Sequence, residues 1–265
     1  MVINFTKKIR KITFLVLALI IAVGGGTYLV QSKNDTETFN IVEEKSINQY
    51  TIDVVFDDES KRLMCNQNIE YINNTNTDLD KLYFHIYPNA FSKKEYAPFE
   101  KDEMKQAYPN GFNEGYIDIK NVLSKGEQLS YEISGDKNDL LSIKINTPLK
   151  PGEKISIDMK YNVKIPNSEG RFGYGKNTVN VTNWFPIACV HDERGWNLKG
   201  YEAVGDPFYS ETSNFDVSIL LPRKYKLSCT GNISEQKSDT DKTLYKIKAD
   251  KVRDIAFILS EKFDV

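Results

Sequence analysis

Alternation with a period of two restricts this chain more than any other feature. Tyr50, Ile52, Val54 and Phe56 interleave with Thr51, Asp53, Val55 and Asp57. The same rhythm returns in Leu141-Ile143-Ile145, Ile155-Ile157-Met159-Tyr161-Val163, Phe215-Val217-Ile219-Leu221 and Ile255-Phe257-Leu259. Successive side chains of a strand point to opposite faces, so each run reads as a strand with one face on a core. Turn chemistry separates the runs at Asn73-Asn74-Thr75-Asn76, Lys125-Gly126-Glu127, Gly135-Asp136, Lys150-Pro151-Gly152-Glu153 and Lys237-Ser238-Asp239-Thr240-Asp241. Helical periodicity is confined to a short polar insert, Pro98 to Ala107. Parallel strands need long crossovers, usually helices, and almost none is encoded. The expectation is therefore an all-β domain over residues 49–265, built on a large antiparallel sheet or sandwich.

The N-terminal end has a different character. Ile12 to Val30 is an uncharged run of 19 residues, preceded by Lys7, Lys8, Arg10 and Lys11. As a helix it would extend about 28 Å, close to the thickness of a bilayer's hydrocarbon core. Two readings of residues 1–30 fit. One is a transmembrane anchor; the other is a signal segment whose apolar stretch ends at Val23, with Ala22 and Gly24 as small residues at a cut. Both place the rest of the chain outside the cytoplasm, because cations flanking an apolar segment stay inside. Residues 31–48 are polar, lack apolar periodicity and read as a tether.

The formal net charge of -2 includes those four leading cations, so everything after them is more acidic still. A domain of that sign gives no electrostatic basis for binding nucleic acid. Cys65, Cys189 and Cys229 are too few for a disulfide framework and match no zinc-knuckle spacing. They read as buried or half-buried thiols, or as one bridge with a thiol left over.

Catalytic signatures are missing. The chain has two histidines, His85 and His191, followed by Ile86-Tyr87-Pro88-Asn89 and by Asp192-Glu193-Arg194-Gly195. Neither begins an H-E-x-x-H, which sets two imidazoles one helical turn apart around a glutamate base. His85 reads as a structural histidine bonded to a neighbour. His191, a lone imidazole beside two carboxylates, falls short of the three protein ligands of a catalytic zinc. No G-x-S-x-G elbow and no phosphate-binding glycine loop occurs. Gly170-Arg171-Phe172-Gly173-Tyr174-Gly175 reads as a flexible hairpin tip.

The densest unusual text is Asn183-Trp184-Phe185-Pro186, continuing through Trp196 and Tyr201 to Phe208 and Tyr209. It holds both tryptophans of the chain. It reads either as a long connection whose aromatics serve as lid and core, or as the wall of a peptide-binding cleft.

That segment resembles the N-terminal domain of bacterial M1-family zinc aminopeptidases. The resemblance rests on Asn183-Trp184-Phe185-Pro186, Asp192-Glu193-Arg194-Gly195-Trp196, Gly205-Asp206-Pro207-Phe208-Tyr209-Ser210 and Phe215-Asp216-Val217-Ser218-Ile219 with Leu221-Pro222. Upstream it takes in Ile69 to Asn74 and Leu82 to Asn89, downstream Cys229 to Asn232 and Val252 to Phe257. It implies a saddle-like, mostly antiparallel β domain that precedes a catalytic domain carrying the zinc. The G-x-M-E-N segment, the H-E-x-x-H helix and the distant Glu ligand of the family would lie beyond Phe263-Asp264-Val265. The chain itself would hold no catalytic or metal residue and need no cofactor. Asn183, Trp184, Phe185, Pro186, Trp196, Phe208 and Tyr209 are the candidates for a substrate cleft or a surface facing the catalytic domain. The family often places a Gln or Glu in the segment matching Asn183 to Pro186, where it grips the substrate's amino group; Phe185-Pro186 departs from that pattern. Two functions stay open: part of an M1-like peptidase with its catalytic domain in cis or as a separate chain, or a stand-alone membrane-tethered binding module.

Overall fold

A computed structural model describes residues 46–202, 205 and 208–263. The expected membrane segment at 1–30 and nearly all of the tether at 31–48 lie outside the described residues. Among the described residues no helix is long and apolar enough to cross a membrane.

In chain order the strands are β1 (Asn48–Asp57), β2 (Arg62–Ile72), β3 (Leu79–His85), β4 (Tyr116–Ser124), β5 (Glu127–Gln128), β6 (Tyr131–Ser134), β7 (Leu140–Leu149), β8 (Lys154–Lys164) and β9 (Phe172–Tyr174). They continue as β10 (Val179–Val181), β11 (Ile187–Ala188), β12 (His191–Asp192), β13 (Gly195–Trp196), β14 (Ser213–Pro222), β15 (Lys226–Cys229), β16 (Asn232–Ser238), β17 (Lys242–Val252) and β18 (Phe257–Ser260). The polar insert supplies one turn of α-helix, α1 (Met104–Ala107). The fold is all-β with almost no helix, as the alternation implies.

The largest sheet runs β16-β17-β14-β1-β2-β8-β4-β5. Two four-stranded sheets, β15-β18-β10-β9 and β11-β3-β7-β6, and a small hairpin, β12-β13, complete it. The inward residues of the alternating runs are the ones that disappear from solvent: Tyr50, Ile52, Val54 and Phe56 on β1, Val217, Ile219 and Leu221 on β14, Ile157, Met159, Tyr161 and Val163 on β8. Each such aliphatic or aromatic side chain contributes about 1.5–3 kcal/mol by leaving water. Turns fall where the sequence placed them. Buried Asn73 ties its turn together, donating from Nδ2 to the carbonyls of Thr77 (2.8 Å) and Leu149 (2.7 Å).

One pairing departs from expectation. β1 and β14 are parallel, with Tyr50 opposite Phe215 and Ile52 opposite Val217, so the large sheet is mixed. A parallel pairing is possible here because the connection between the two strands is not one short loop. All the chain from β2 to β13 lies between them, enough to bring the direction round without a helix.

The expected hairpin tip at Gly170 to Gly175 is also different. Phe172–Tyr174 forms β9, paired to β10, with Phe172 buried. Gly173 is required there by close approach: a Cβ on it would stand 2.1 Å from the Ser168 carbonyl oxygen.

Candidate functional site

The motif residues converge around one short strand. β11 lies antiparallel to β3, with Ile187 opposite His85 and Ala188 opposite Phe84. The Cys189 amide extends the pairing to the Tyr83 carbonyl (2.8 Å), and Cys189 bridges to Ser210 on its other side. The Leu82 block, the Asn183 block and the Phe208 block therefore meet through backbone contacts.

Asn183 to Pro186 forms the hub. Trp184 is fully buried at 0% exposure, its Nε1 donating to the Ile255 carbonyl (2.8 Å), its ring edge-on to Phe185 and Phe257. Phe185, also sealed, packs edge-on against Tyr50 and Phe215 of the parallel pair. The Pro186 carbonyl accepts from Gln67 Nε2 (3.1 Å), and Gln67 Oε1 accepts from Tyr161 (2.9 Å). Asn183 adopts a left-handed backbone (φ 48°), a conformation Asn tolerates better than most residues. Its amide is thereby aimed at Asp254 Oδ2 (3.3 Å). Burial lifts the Asp254 carboxyl to about 6, with the amides of Asn183 and Ile255 holding it down; its Oδ1 is sealed and has no hydrogen-bond partner. Trp184 and Phe185 thus belong to the core that joins the sheets. The exposure expected of Trp184 as part of a surface is not found, because its indole packs between Phe185 and Phe257 and satisfies the Ile255 carbonyl.

Trp196, Phe208 and Tyr209 sit differently. Trp196 is half-buried, 5.3 Å from the Tyr83 ring and edge-on to His191 at 5.0 Å. Tyr209 is 38% exposed, and nearby in sequence Leu198 is 39% exposed. Phe208 is half-buried within a cluster of rings, edge-on to Tyr87 (5.0 Å) and Tyr201 (5.2 Å). The Arg171 guanidinium lies over its outer face at 5.1 Å. Such edge-to-face pairs add about 0.5–1.5 kcal/mol each beyond the area they bury.

His85 stacks flat on Tyr87 with ring centres 4.7 Å apart, fully buried. Neither ring nitrogen closes a well-formed hydrogen bond, although the Asn197 backbone approaches the ring. The neighbour expected to bond it is thus replaced by a stacked ring. Burial pushes the imidazole down to about 4, so it is neutral at neutral pH. Asp139, itself buried, anchors the strap that carries Tyr201 by accepting from the Tyr201 amide (2.7 Å). All three cysteines are free thiols, Cys65 and Cys189 buried and Cys229 half-buried, and burial pushes each above the usual thiol range.

These groups do not fit a zinc site. Sheet partners of His85 are Leu140 and Ile187, and its ring is covered by Tyr87. His191 sits edge-on to Trp196, while the neighbouring Asp192 carboxylate pairs with Arg194. Among the described residues no three His, Cys, Asp or Glu side chains gather where they could hold a metal.

Beside the ring cluster lies a cavity of about 530 Å³ that the sequence did not reveal. Phe91, Phe99 and Tyr201 wall it, and Glu103, Glu169 and Arg171 stand on it. Its walls come from the insert, from the loop before β9 and from the strap after β13, so no contiguous motif marks it.

No protein-family model matches the chain, and no curated protein matches it. Among solved structures it is similar to an M1 zinc metallopeptidase from Deinococcus radiodurans, at 9% identity and a TM-score of 0.48. A mutant of a two-domain M1 zinc metallopeptidase bound to L-arginine is similar at 9% identity and a TM-score of 0.47. Both matches cover 81% of this chain and 42% of the other, so the chain spans less than half the length of the structures it matches.

Proposed function

We propose that residues 46–263 are the N-terminal β domain of an M1-like zinc metallo-aminopeptidase, with the zinc and the catalytic helix carried by a separate catalytic domain, in cis or as another chain. One observation carries this reading. Of the sequence blocks that resemble the family, those around Leu82, Asn183, Trp196 and Ser210 fold into one assembly around β3 and β11. Scattered coincidences would have no reason to meet in space.

Within that assembly the work divides. Asn183 to Pro186 locks the sheets together, while Trp196, Leu198 and Tyr209 remain available to a partner or a peptide. Large apolar side chains left in water on a folded domain are the natural contact points for a partner where they lie together. The domain therefore supplies a wall and a docking face; the chemistry is performed elsewhere. The uncharged run at 12–30 with its leading cations supports placing the domain outside the cytoplasm, anchored or released.

The test joins the chain to an M1-type catalytic domain, in trans and as a fusion, and follows association and hydrogen exchange. Protection confined to residues 195–198 and 208–209, with Trp184 unchanged, is the expected outcome. Absence of association at high micromolar concentration, with those segments exchanging as before, would overturn it in favour of a stand-alone binding module.

A further inference from the structure

The structure assigns a second binding site, for an organic cation with an apolar stem, to the cavity between the insert and the loop preceding β9. This stands whether or not the domain serves a peptidase.

The cavity's volume, about 530 Å³, lies in the range that accepts small molecules and peptide side chains. Its inner wall is aromatic. Phe91 and Tyr201 are buried and edge-on to one another at 5.7 Å, and Phe99 stands edge-on to Phe91 at 6.1 Å. Edge-on packing among these rings fixes their orientation; Phe91 and Tyr201 are nearly sealed, so the half-buried Phe99 is the ring that offers surface to a cation. The walls are tied in place. The Glu169 amide donates to the Ala107 carbonyl (2.8 Å), stapling the loop to α1, and the Gly115 amide donates to the Phe91 carbonyl (2.9 Å).

Charge decides what fits. Two carboxylates, Glu103 and Glu169, and one cation, Arg171, stand on the cavity. Arg171 is laid over the Phe208 ring at 5.1 Å, and among the described residues it pairs with neither carboxylate. Glu103 Oε2 accepts from the Glu100 amide (3.1 Å), whereas among the described residues no such bond reaches the Glu169 carboxylate. With two carboxylates against one guanidinium, the cavity keeps an excess of one negative charge beside its aromatic side. An alkyl or aryl ammonium, or a guanidinium, completes it; an anion or a neutral polar molecule does not. The same chemistry is offered by a free amine and by an arginine side chain of a peptide.

The experiment uses the full chain in a mild non-ionic detergent at low ionic strength, titrated by calorimetry or ligand-observed NMR. Benzylammonium is compared with benzyl alcohol, and acetyl-Gly-Arg-Gly-amide with its citrulline twin. For probes of this size a Kd on the order of 1 mM is expected for a cation. The neutral twin should bind about fivefold more weakly. Which of the two cations binds better identifies the source. Glu169→Gln should weaken the cation about fivefold and leave the neutral twin unchanged. Phe99→Ala should weaken both, and Glu127→Gln, on a separate cavity beside Leu129 and Asn146, should change neither. Equal binding of charged and neutral twins, insensitivity to Glu169→Gln in a variant with an unaltered near-ultraviolet spectrum, or no saturable binding at about ten times the expected Kd would each overturn the assignment.

Discussion

Asp254 offers a quantitative check on how the sheets are joined. Its carboxyl accepts from the Asn183 amide through Oδ2 while Oδ1 is sealed without a partner, and burial lifts it from 3.8 to about 6. A raised acid binds its proton more tightly in the folded state, so its contribution favours folding at low pH. That contribution fades as pH rises from the unfolded value through the folded one. Each unit is worth about 1.4 kcal/mol, so the ionised carboxylate costs roughly 3 kcal/mol once pH is well above 6. About 1 kcal/mol of that is already present near pH 4.5. Asp254→Asn keeps the acceptor for Asn183 and removes the charge, but places an amide NH₂ where Oδ1 lacks a partner, a penalty of about 1 kcal/mol. The variant should be near-neutral at pH 4.5 and more stable than wild type by about 2 kcal/mol at pH 8. Urea unfolding at the two pH values, followed by tryptophan emission, measures this directly. A gain of the same size at both values, or a loss at pH 8, would show that the carboxylate is solvated and the reasoning mistaken.

Four further outcomes are expected. Trp184→Ala should cost about 3–5 kcal/mol because a sealed indole and its bond to Ile255 are lost together; Trp196→Ala should cost clearly less, by the same unfolding assay. Emission should separate them too: Trp196→Phe leaves a blue-shifted spectrum from Trp184, whereas Trp184→Phe leaves a redder one. Gly173→Ala should lower the melting temperature markedly, since its Cβ would meet the Ser168 carbonyl at 2.1 Å; a change within error would deny that contact. A thiol reagent should modify Cys229 first and reach Cys65 and Cys189 only on unfolding, as their burial requires.

The alternating strands were legible because one face of each is dry, whereas β6 and β16, exposed on both faces, carry no such signal. Alternation from Tyr50 to Phe56 states which side faces inward, and the structure agrees. Alternation does not state which neighbour a strand takes or in which direction, so the parallel partner of β1 was not visible. The aromatic segment shows the same limit. Composition marks Asn183 to Tyr209 as unusual, yet Trp184 and Phe185 became core while Tyr209 stayed wet, a division made by sheets that other parts of the chain build. His85 lies on β3, but in place of the expected hydrogen-bonded neighbour its companion is a stacked tyrosine two residues on. The Asp254 carboxyl and the cavity at Phe99 had no local signature, because each is made by segments far apart in the chain.

The parallel pair sets the tempo at which the chain can assemble. Ile52 meets Val217, so β1 receives its second neighbour only after a loop of roughly 165 residues has closed, at an entropic cost of about 4–5 kcal/mol. During synthesis β1 and β2 emerge early and can pair at once, yet one edge of β1 stays open until β14 has left the ribosome. An open apolar edge of that length is a template for pairing with another nascent copy. Such high contact order makes for slow folding. A chain stopped before Ser213 therefore has a specific liability: its first strand is already formed, already greasy on one face, and short of the one neighbour that would close it.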